Sequence, residues 1–124
     1  MQKALTTLGS SLLALYFLVP GVLKFVAWSQ HIEMMQQHQL PMPALLLAIA
    51  GLTEIIAALL ILFKRHIAWA ALYLALLTLA INLGMHDFWN FEGVSAQHET
   101  QNFVKNLGIF AGLLLLSAMH WPKK

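Results

Sequence analysis

Four apolar segments dominate the chain, and each is close to the roughly 20 residues that a helix needs to cross the hydrocarbon core of a bilayer. They cover residues 4–28, 43–63, 66–86 and 103–121. Only 10% of the residues are charged, against about 25% in an average soluble domain. A soluble protein of this size has too much surface to carry so few charges, so the sequence predicts a multi-pass membrane protein.

The four segments are expected to be helices because a bilayer offers no hydrogen-bond partner to an open strand edge. The predicted fold class is all-α, a four-transmembrane-helix bundle that takes up residues 1–124 as a single membrane domain. The first apolar run continues too far for a cleavable signal peptide and is interpreted as a retained span. Between the first two spans, the spacing of Ile32 and Met35 is typical of a short interfacial helix, which Pro41 and Pro43 would end.

The basic residues are divided unequally between the two sides of the predicted bundle. One side carries both termini and the connection between the second and third spans, and the other carries the two longer connections. The first side holds Lys3, Lys64, Arg65, Lys123 and Lys124, and the second holds only Lys24 and Lys105. Because basic residues are enriched in cytoplasmic segments, both termini are expected to be cytoplasmic, and the opposite side is the predicted outer side.

Glu54 is a carboxylate in the middle of the second apolar segment. It lies about 16 Å below the outer end of that span, near the midplane. Its helical neighbours at three and four residues are Ala50, Gly51, Ala57 and Ala58, and small residues allow helices to approach closely. We therefore expect the carboxylate to face the bundle interior. An unpaired charge at the bilayer centre costs about 2.5–3.5 kcal/mol. Glu54 can lessen this cost by binding a proton or by pairing with Lys24, which lies only about 6 Å below the outer interface, so the sequence leaves a direct contact open.

Polar residues of the other spans are expected to turn inward beside this carboxylate. Asn82 and His86 share one face of the third span, and Lys105 precedes a GxxxG pair at 108–112 that predicts a packing face. The expected cluster in the outer half of the bundle consists of Lys24, Glu54, Asn82, His86, Asp87 and Lys105. Intramembrane ionisable groups are candidates for functional sites. The alternative, which the sequence leaves open, is a Lys–Glu pair that only fixes helix register.

No metal site and no nucleic-acid partner is predicted. The chain has no cysteine, which excludes thiolate ligands. The histidines and carboxylates of the outer side, such as His38 and Glu99, lack a tight ligand spacing like that of HExxH and are interpreted as isolated interfacial residues. The formal net charge is only +2, and no basic stripe is interleaved with aromatic residues, which argues against nucleic-acid binding.

Four stretches of the chain, in order, resemble the DoxX family of small bacterial membrane proteins. They are GVLKF at 21–25, LPMPALLLAIAGLTEIIAALLIL at 40–62, HDFWNF at 86–91 and NFVKNLGIFAGLLLL at 102–116. The resemblance implies that Gly21 with Lys24, Glu54, and Lys105 with Asn106 occupy motif positions, so Asn106 joins the candidate residues. Residues 57 and 58 are alanines where many relatives have glycines, which implies a tighter cavity.

The resemblance also implies a location and two functional hypotheses. The location is the bacterial inner membrane. The first hypothesis is a redox-associated subunit, part of a membrane oxidoreductase, that binds quinone in a polar pocket of the outer half and receives electrons from a partner subunit. The second is a non-enzymatic scaffold or small-solute transport protein with a structural ion pair, for which homo-oligomers would be expected. The resemblance assigns no catalytic residue.

Overall fold

The computed structural model describes residues 1–123, and every regular element within them is helical. In chain order the helices are α1 (Gln2–Val26), α2 (Trp28–Gln37), α3 (Pro43–Leu62), α4 (Ile67–Met85) and α5 (Gly93–Met119). One turn of 3-10 helix, Phe88–Asn90, lies between α4 and α5. Lys124, one of the basic residues assigned to the cytoplasmic side, lies outside the described residues.

Four helices, α1, α3, α4 and α5, are long and apolar enough to cross a membrane. This confirms the predicted all-α class with four spans. Their outward faces expose large apolar side chains, among them Leu12, Ile49, Leu83 and Leu115. Exposing such surface to water costs about 25 cal/mol per Å², whereas acyl chains solvate it well. The chain is therefore a multi-pass membrane protein.

The short helix predicted between the first two spans is present as α2. Its Met35 is buried against the bundle, and α2 ends at Gln37, ahead of the prolines. The chain then turns through Gln39 and Met42, which both have positive φ. Pro43 begins α3 at the first helical position, where its missing N–H removes no helical hydrogen bond. We call the end of the bundle that carries α2 and the 3-10 turn the α2 end, and the opposite end the termini end.

The last helix begins at Gly93 rather than near residue 103, where the fourth span was predicted to start. Gly93 has a φ of +65°, a conformation that glycine adopts without steric cost, and it turns the chain into the helix. The segment from Gly93 to Asn102 is polar, so hydropathy does not mark it as a span. The difference arises because hydropathy detects only the part of a helix that lies in hydrocarbon.

The bundle consists of two closely packed helix pairs, α1 with α3 and α4 with α5, joined through α3 and α4. The apolar core lies mainly in the half nearer the termini end, and more than half of its members are alanine. They are Ala14, Phe17, Ala57, Ala58, Ile61, Ala70, Ala71, Leu74, Ala75, Leu113 and Leu116. Small side chains bring the helix backbones together, which is how helices gain packing energy in a lipid environment.

Two glycines set the approach of α1 to α3. A Cβ atom on Gly21 would lie 2.9 Å from Ile55 Cγ1, and one on Gly51 would lie 2.7 Å from the Phe25 ring and 3.3 Å from Lys24 Cβ. The small-residue face predicted around residue 54 is therefore a close contact between two spans.

The GxxxG pair of α5 behaves differently from its prediction. A Cβ atom on Gly108 would meet nothing within 4 Å, and one on Gly112 would only touch Leu13 at 4.0 Å. The expectation that this pair marks a close packing face was wrong. The helix places its packing on another face, where Asn106, Leu113 and Ser117 are buried.

Replacing Gly21 by alanine is expected to destabilise the bundle by about 1–3 kcal/mol, because the added methyl group overpacks the α1–α3 contact. The measurement is chemical unfolding in mild detergent, followed by circular dichroism. Gly108→Ala is the matched control, since its methyl group meets open space and alanine has the better helix propensity. Equal stabilities for the two variants would contradict the close contact.

Candidate functional site

Buried polar side chains concentrate in the half of the bundle nearer the α2 end. They are Glu54, Thr78, Asn82, Asp87 and Asn106, while Ser117 is the one buried polar residue of the other half among residues 1–123. Ser117 donates a hydrogen bond to the Ala68 carbonyl, and Thr78 donates to the Leu74 carbonyl. The remaining residues form three separate groups rather than the one cluster expected from the sequence.

The first group is the ion pair between Lys24 of α1 and Glu54 of α3. Lys24 Nζ lies 2.8 Å from Glu54 Oε2, and the side chains are 14% and 3% exposed. The two side chains therefore meet directly, across the contact that Gly21 and Gly51 permit. Glu54 Oε2 has no partner with hydrogen-bond geometry among the described residues, so the contact is an ion pair by distance and this oxygen can still accept a hydrogen bond.

The second group joins α1, α4 and α5 through two asparagines. Asn106 Nδ2 donates to Asn82 Oδ1 over 3.1 Å, and Asn82 Nδ2 donates to the Phe103 carbonyl over 3.0 Å. Tyr16 donates to Asn106 Oδ1 over 3.3 Å. Asn82 and Asn106 thus bond to each other and to their neighbours rather than to Glu54. A fully paired amide network of this kind fixes the register of the helices that it joins.

The third group lies at the α2 end, where four parts of the chain meet. His38 Nδ1 at the end of α2 lies 2.5 Å from Asp87 Oδ1, and Asn90 donates to Asp87 Oδ2 over 2.7 Å. His86 Nδ1 at the end of α4 lies 3.0 Å from Glu99 Oε2 of α5. We call His38, His86, Asp87, Asn90 and Glu99 the α2-end cluster. The interpretation of His38 and Glu99 as isolated residues is corrected by these contacts.

Lys105 does not join any of the three groups. It is exposed on α5, and its Nζ lies 5.8 Å from the centroid of the Tyr16 ring, within the range of a cation–π contact. The expected cluster placed Lys105 with Asp87, but Asp87 is engaged by His38 and Asn90 instead. Lys105 therefore lies on the exposed face of α5, outside the polar groups of the interior.

A cavity of about 430 Å³ opens between α3 and α4, below α2. Its walls are largely apolar, with four polar residues among them. The polar residues are Lys24, His31, Tyr73 and His86, and the apolar ones are Met35, Leu40, Leu46, Leu47, Ile49, Ala50, Leu77, Ala80, Ile81, Gly84 and Met85. Mostly apolar walls with a few polar groups are typical of sites for small organic molecules.

The cavity includes two polar residues that the sequence did not single out. His31 of α2 uses Nδ1 in a contact of 2.8 Å with the Ala27 carbonyl, and Tyr73 of α4 bonds to Thr53 of α3. The sequence offers a weak signal for His31. It lies four residues before Met35 on the predicted interfacial helix, so both side chains share the apolar side of that helix. Tyr73 carried no signal, because an isolated tyrosine in an apolar run is ordinary.

Comparison with known families gives one match. The family model described as DoxX matches residues 7–87, which include Lys24, Glu54, Asn82, His86 and Asp87. Lys105 and Asn106 of α5 fall outside the matched range. No curated protein and no solved structure matches the chain.

The Lys24–Glu54 pair is expected to stabilise the bundle only as a pair. Lys24→Met leaves an uncompensated carboxylate, and breaking a buried pair by removing one partner costs about 3–5 kcal/mol. The double variant Lys24→Met/Glu54→Gln removes both charges and should recover most of that loss. Unfolding in mild detergent measures the coupling between the two positions.

Lys105→Met serves as the control for this cycle, because it makes the same substitution at an exposed lysine. Its free energy of unfolding is expected to change by less than about 1 kcal/mol, because only the exposed contact with the Tyr16 ring is lost. If the losses for Lys24→Met and Glu54→Gln simply add in the double variant, the ion pair contributes no coupling and the assignment fails.

Proposed function

Because this chain belongs to the DoxX family, we propose that it is a redox-associated subunit of the bacterial inner membrane that binds a quinone in the α3–α4 cavity. The observation that carries the proposal is the cavity itself, which has apolar walls with a few polar groups and opens between two helices long enough to span a membrane. The proposed orientation places both termini in the cytoplasm and the α2 end outside, as the distribution of lysine and arginine favours.

The residues of the cavity fit the chemistry of a quinone head group. A quinone ring is flat and apolar, and its two carbonyl oxygens accept hydrogen bonds. The cavity supplies apolar surface from both helices and one ammonium donor, Lys24, at its edge. The rim residues Leu46 and Ile49 of α3 are exposed apolar side chains, so a ligand dissolved in the bilayer can enter without crossing water.

The polar residues have distinct roles in this proposal. Lys24 donates a hydrogen bond to a carbonyl oxygen of the quinone. Glu54 pairs with Lys24 but does not line the cavity, so its role is to position the ammonium group. His31 directs Nδ1 at a backbone carbonyl, which can only accept, so Nδ1 carries the proton and Nε2 of the neutral ring is an acceptor. Lys24 is thus the donor of the cavity, and His31 is its proton acceptor.

His86 completes the polar set at the α2 end of the cavity. Its Nδ1 is engaged by the Glu99 carboxylate, which leaves Nε2 to exchange a proton with the cavity. A bound quinone supplies two-electron, two-proton redox chemistry. The electrons come from a partner subunit in this proposal, and the chain's own residues bind, orient and exchange protons.

The alternative of a scaffold is favoured by a different observation. The asparagine side chains bond to each other and to the backbone, so the network needs no ligand. This is what is expected of a purely structural element. A transport path through one copy is disfavoured, because the apolar core around Phe17, Ile61 and Leu74 lies between the cavity and the termini end in the described part of the chain.

Filling the cavity is expected to weaken quinone binding. Ala80→Trp places an indole in the lining, and we expect the affinity for a short-chain benzoquinone or naphthoquinone to fall by at least about ten-fold, or roughly 1.4 kcal/mol. Equilibrium dialysis of the detergent-purified protein measures binding, and mass spectrometry of its lipid extract shows any co-purified quinone.

Leu79→Trp is the matched control, since residue 79 is exposed and lies outside the lining. The same dialysis with Lys24→Met and Lys105→Met separates a role in binding from a general effect of removing a lysine. Absence of quinone binding by the wild-type protein, or equal binding by Ala80→Trp and Leu79→Trp, would contradict the proposal.

A further inference from the structure

We infer that the α2-end cluster holds a divalent transition-metal ion, with His38, Asp87 and Glu99 as its ligands. Each of these residues offers one ligand atom, and the three atoms lie within 4.8 Å of one another. The fold brings them together from distant positions, at the end of α2, after α4 and on α5. This inference does not depend on quinone binding.

The distances are close to those of a metal site. Nitrogen and oxygen ligands lie about 2.0–2.2 Å from an ion such as Zn²⁺, so ligand atoms of one tetrahedral site are about 3.3 Å apart. The contact between His38 Nδ1 and Asp87 Oδ1 is 2.5 Å, and the most distant pair of the three lies no farther than 4.8 Å apart. Side-chain adjustments of an ångström or so therefore suffice to place the three around one ion.

The carboxylates are held in place by further contacts. Asn90 Nδ2 donates to Asp87 Oδ2, and His86 Nδ1 contacts Glu99 Oε2. The Phe91 ring packs on His38 with 5.1 Å between ring centroids. Ligands of metal sites are commonly oriented by such a surrounding layer of hydrogen bonds. Asn90 and His86 hold one oxygen of each carboxylate. The other oxygens, Asp87 Oδ1 beside His38 and Glu99 Oε1, are left to bind an ion.

The charge of the cluster also favours a cation. Two carboxylates, Asp87 and Glu99, lie together with side chains 8% and 19% exposed. Within residues 1–123, their only ion-pair partners are the histidines His38 and His86, while Lys24 is committed to Glu54. With neutral imidazoles the cluster carries two negative charges, and a divalent ion compensates both.

The donor set indicates the class of metal. One imidazole and two carboxylates suit first-row divalent ions such as Zn²⁺, Co²⁺ and Mn²⁺, and the absence of sulfur ligands disfavours Cu⁺. Three protein ligands leave further coordination positions for water. Bound there, the ion ties the end of α2 to α5 and fixes α2 over the α3–α4 cavity.

The test is titration of the detergent-purified, metal-stripped full chain with Co²⁺, followed by visible absorption, and with Zn²⁺, followed by calorimetry. The wild-type protein is expected to bind one ion and to gain thermal stability from Zn²⁺. His38→Ala and Glu99→Gln are expected to lower the affinity at least about ten-fold. Asp87→Asn keeps the shape of the side chain and should do the same.

His98→Ala and Glu33→Gln are the matched controls, because both residues are exposed and lie outside the cluster. Both variants should bind the ion as the wild-type protein does. Circular dichroism verifies the fold of each variant. The inference is overturned if the wild-type protein takes up no stoichiometric ion, or if the controls lose as much affinity as the folded cluster variants.

Discussion

The ion pair between Lys24 and Glu54 is the contact on which the α2 half of the bundle depends. A carboxylate at this depth in a bilayer must be compensated, and the ammonium group that does so belongs to another helix. The two side chains meet only if α1 and α3 lie close together, which Gly21 and Gly51 permit. The requirement for charge compensation thus fixes the spacing and the register of the first helix pair, and it places Lys24 at the edge of the α3–α4 cavity.

The two halves of the bundle are held together by different interactions. Near the termini end, alanines and leucines pack into an apolar core, which holds the helices by close contact. Near the α2 end, packing gives way to paired polar groups and to the cavity, since α3 and α4 separate there below α2. Each buried polar group must find a partner in the protein because lipid offers none. The groups that can bind a ligand or exchange a proton therefore lie in the half nearer the α2 end. The apolar core of the other half separates the cavity from the termini end.

The sequence predicts the spans from the length of each apolar run, and it predicts an inward Glu54 from the small residues beside it. It leaves the direct contact with Lys24 open, because that contact joins two helices whose relative depth no local pattern sets. The start of α5 differs from its prediction because the first turns of that helix are polar. The partners of Asn82 and Asn106 could not be predicted, since inward direction does not specify which of three neighbouring helices an amide meets. His38 and Asp87 meet across 49 positions of the chain, a pairing set by the packing of α2 on the bundle, which no local spacing encodes.

His86 connects the two candidate sites, because one ring contributes to both. Its Nδ1 faces Glu99 of the α2-end cluster, and the residue lines the cavity. An ion on Asp87 and Glu99 would compete with His86 for the Glu99 carboxylate, and so alter how the His86 ring is held beside the cavity. Coupling between two sites is reciprocal, so a ligand that bonds to His86 in the cavity must also change the affinity of the cluster for an ion. The short connection from Met85 to Phe91 carries this link, since it holds His86 and Asp87 next to each other at the end of α4.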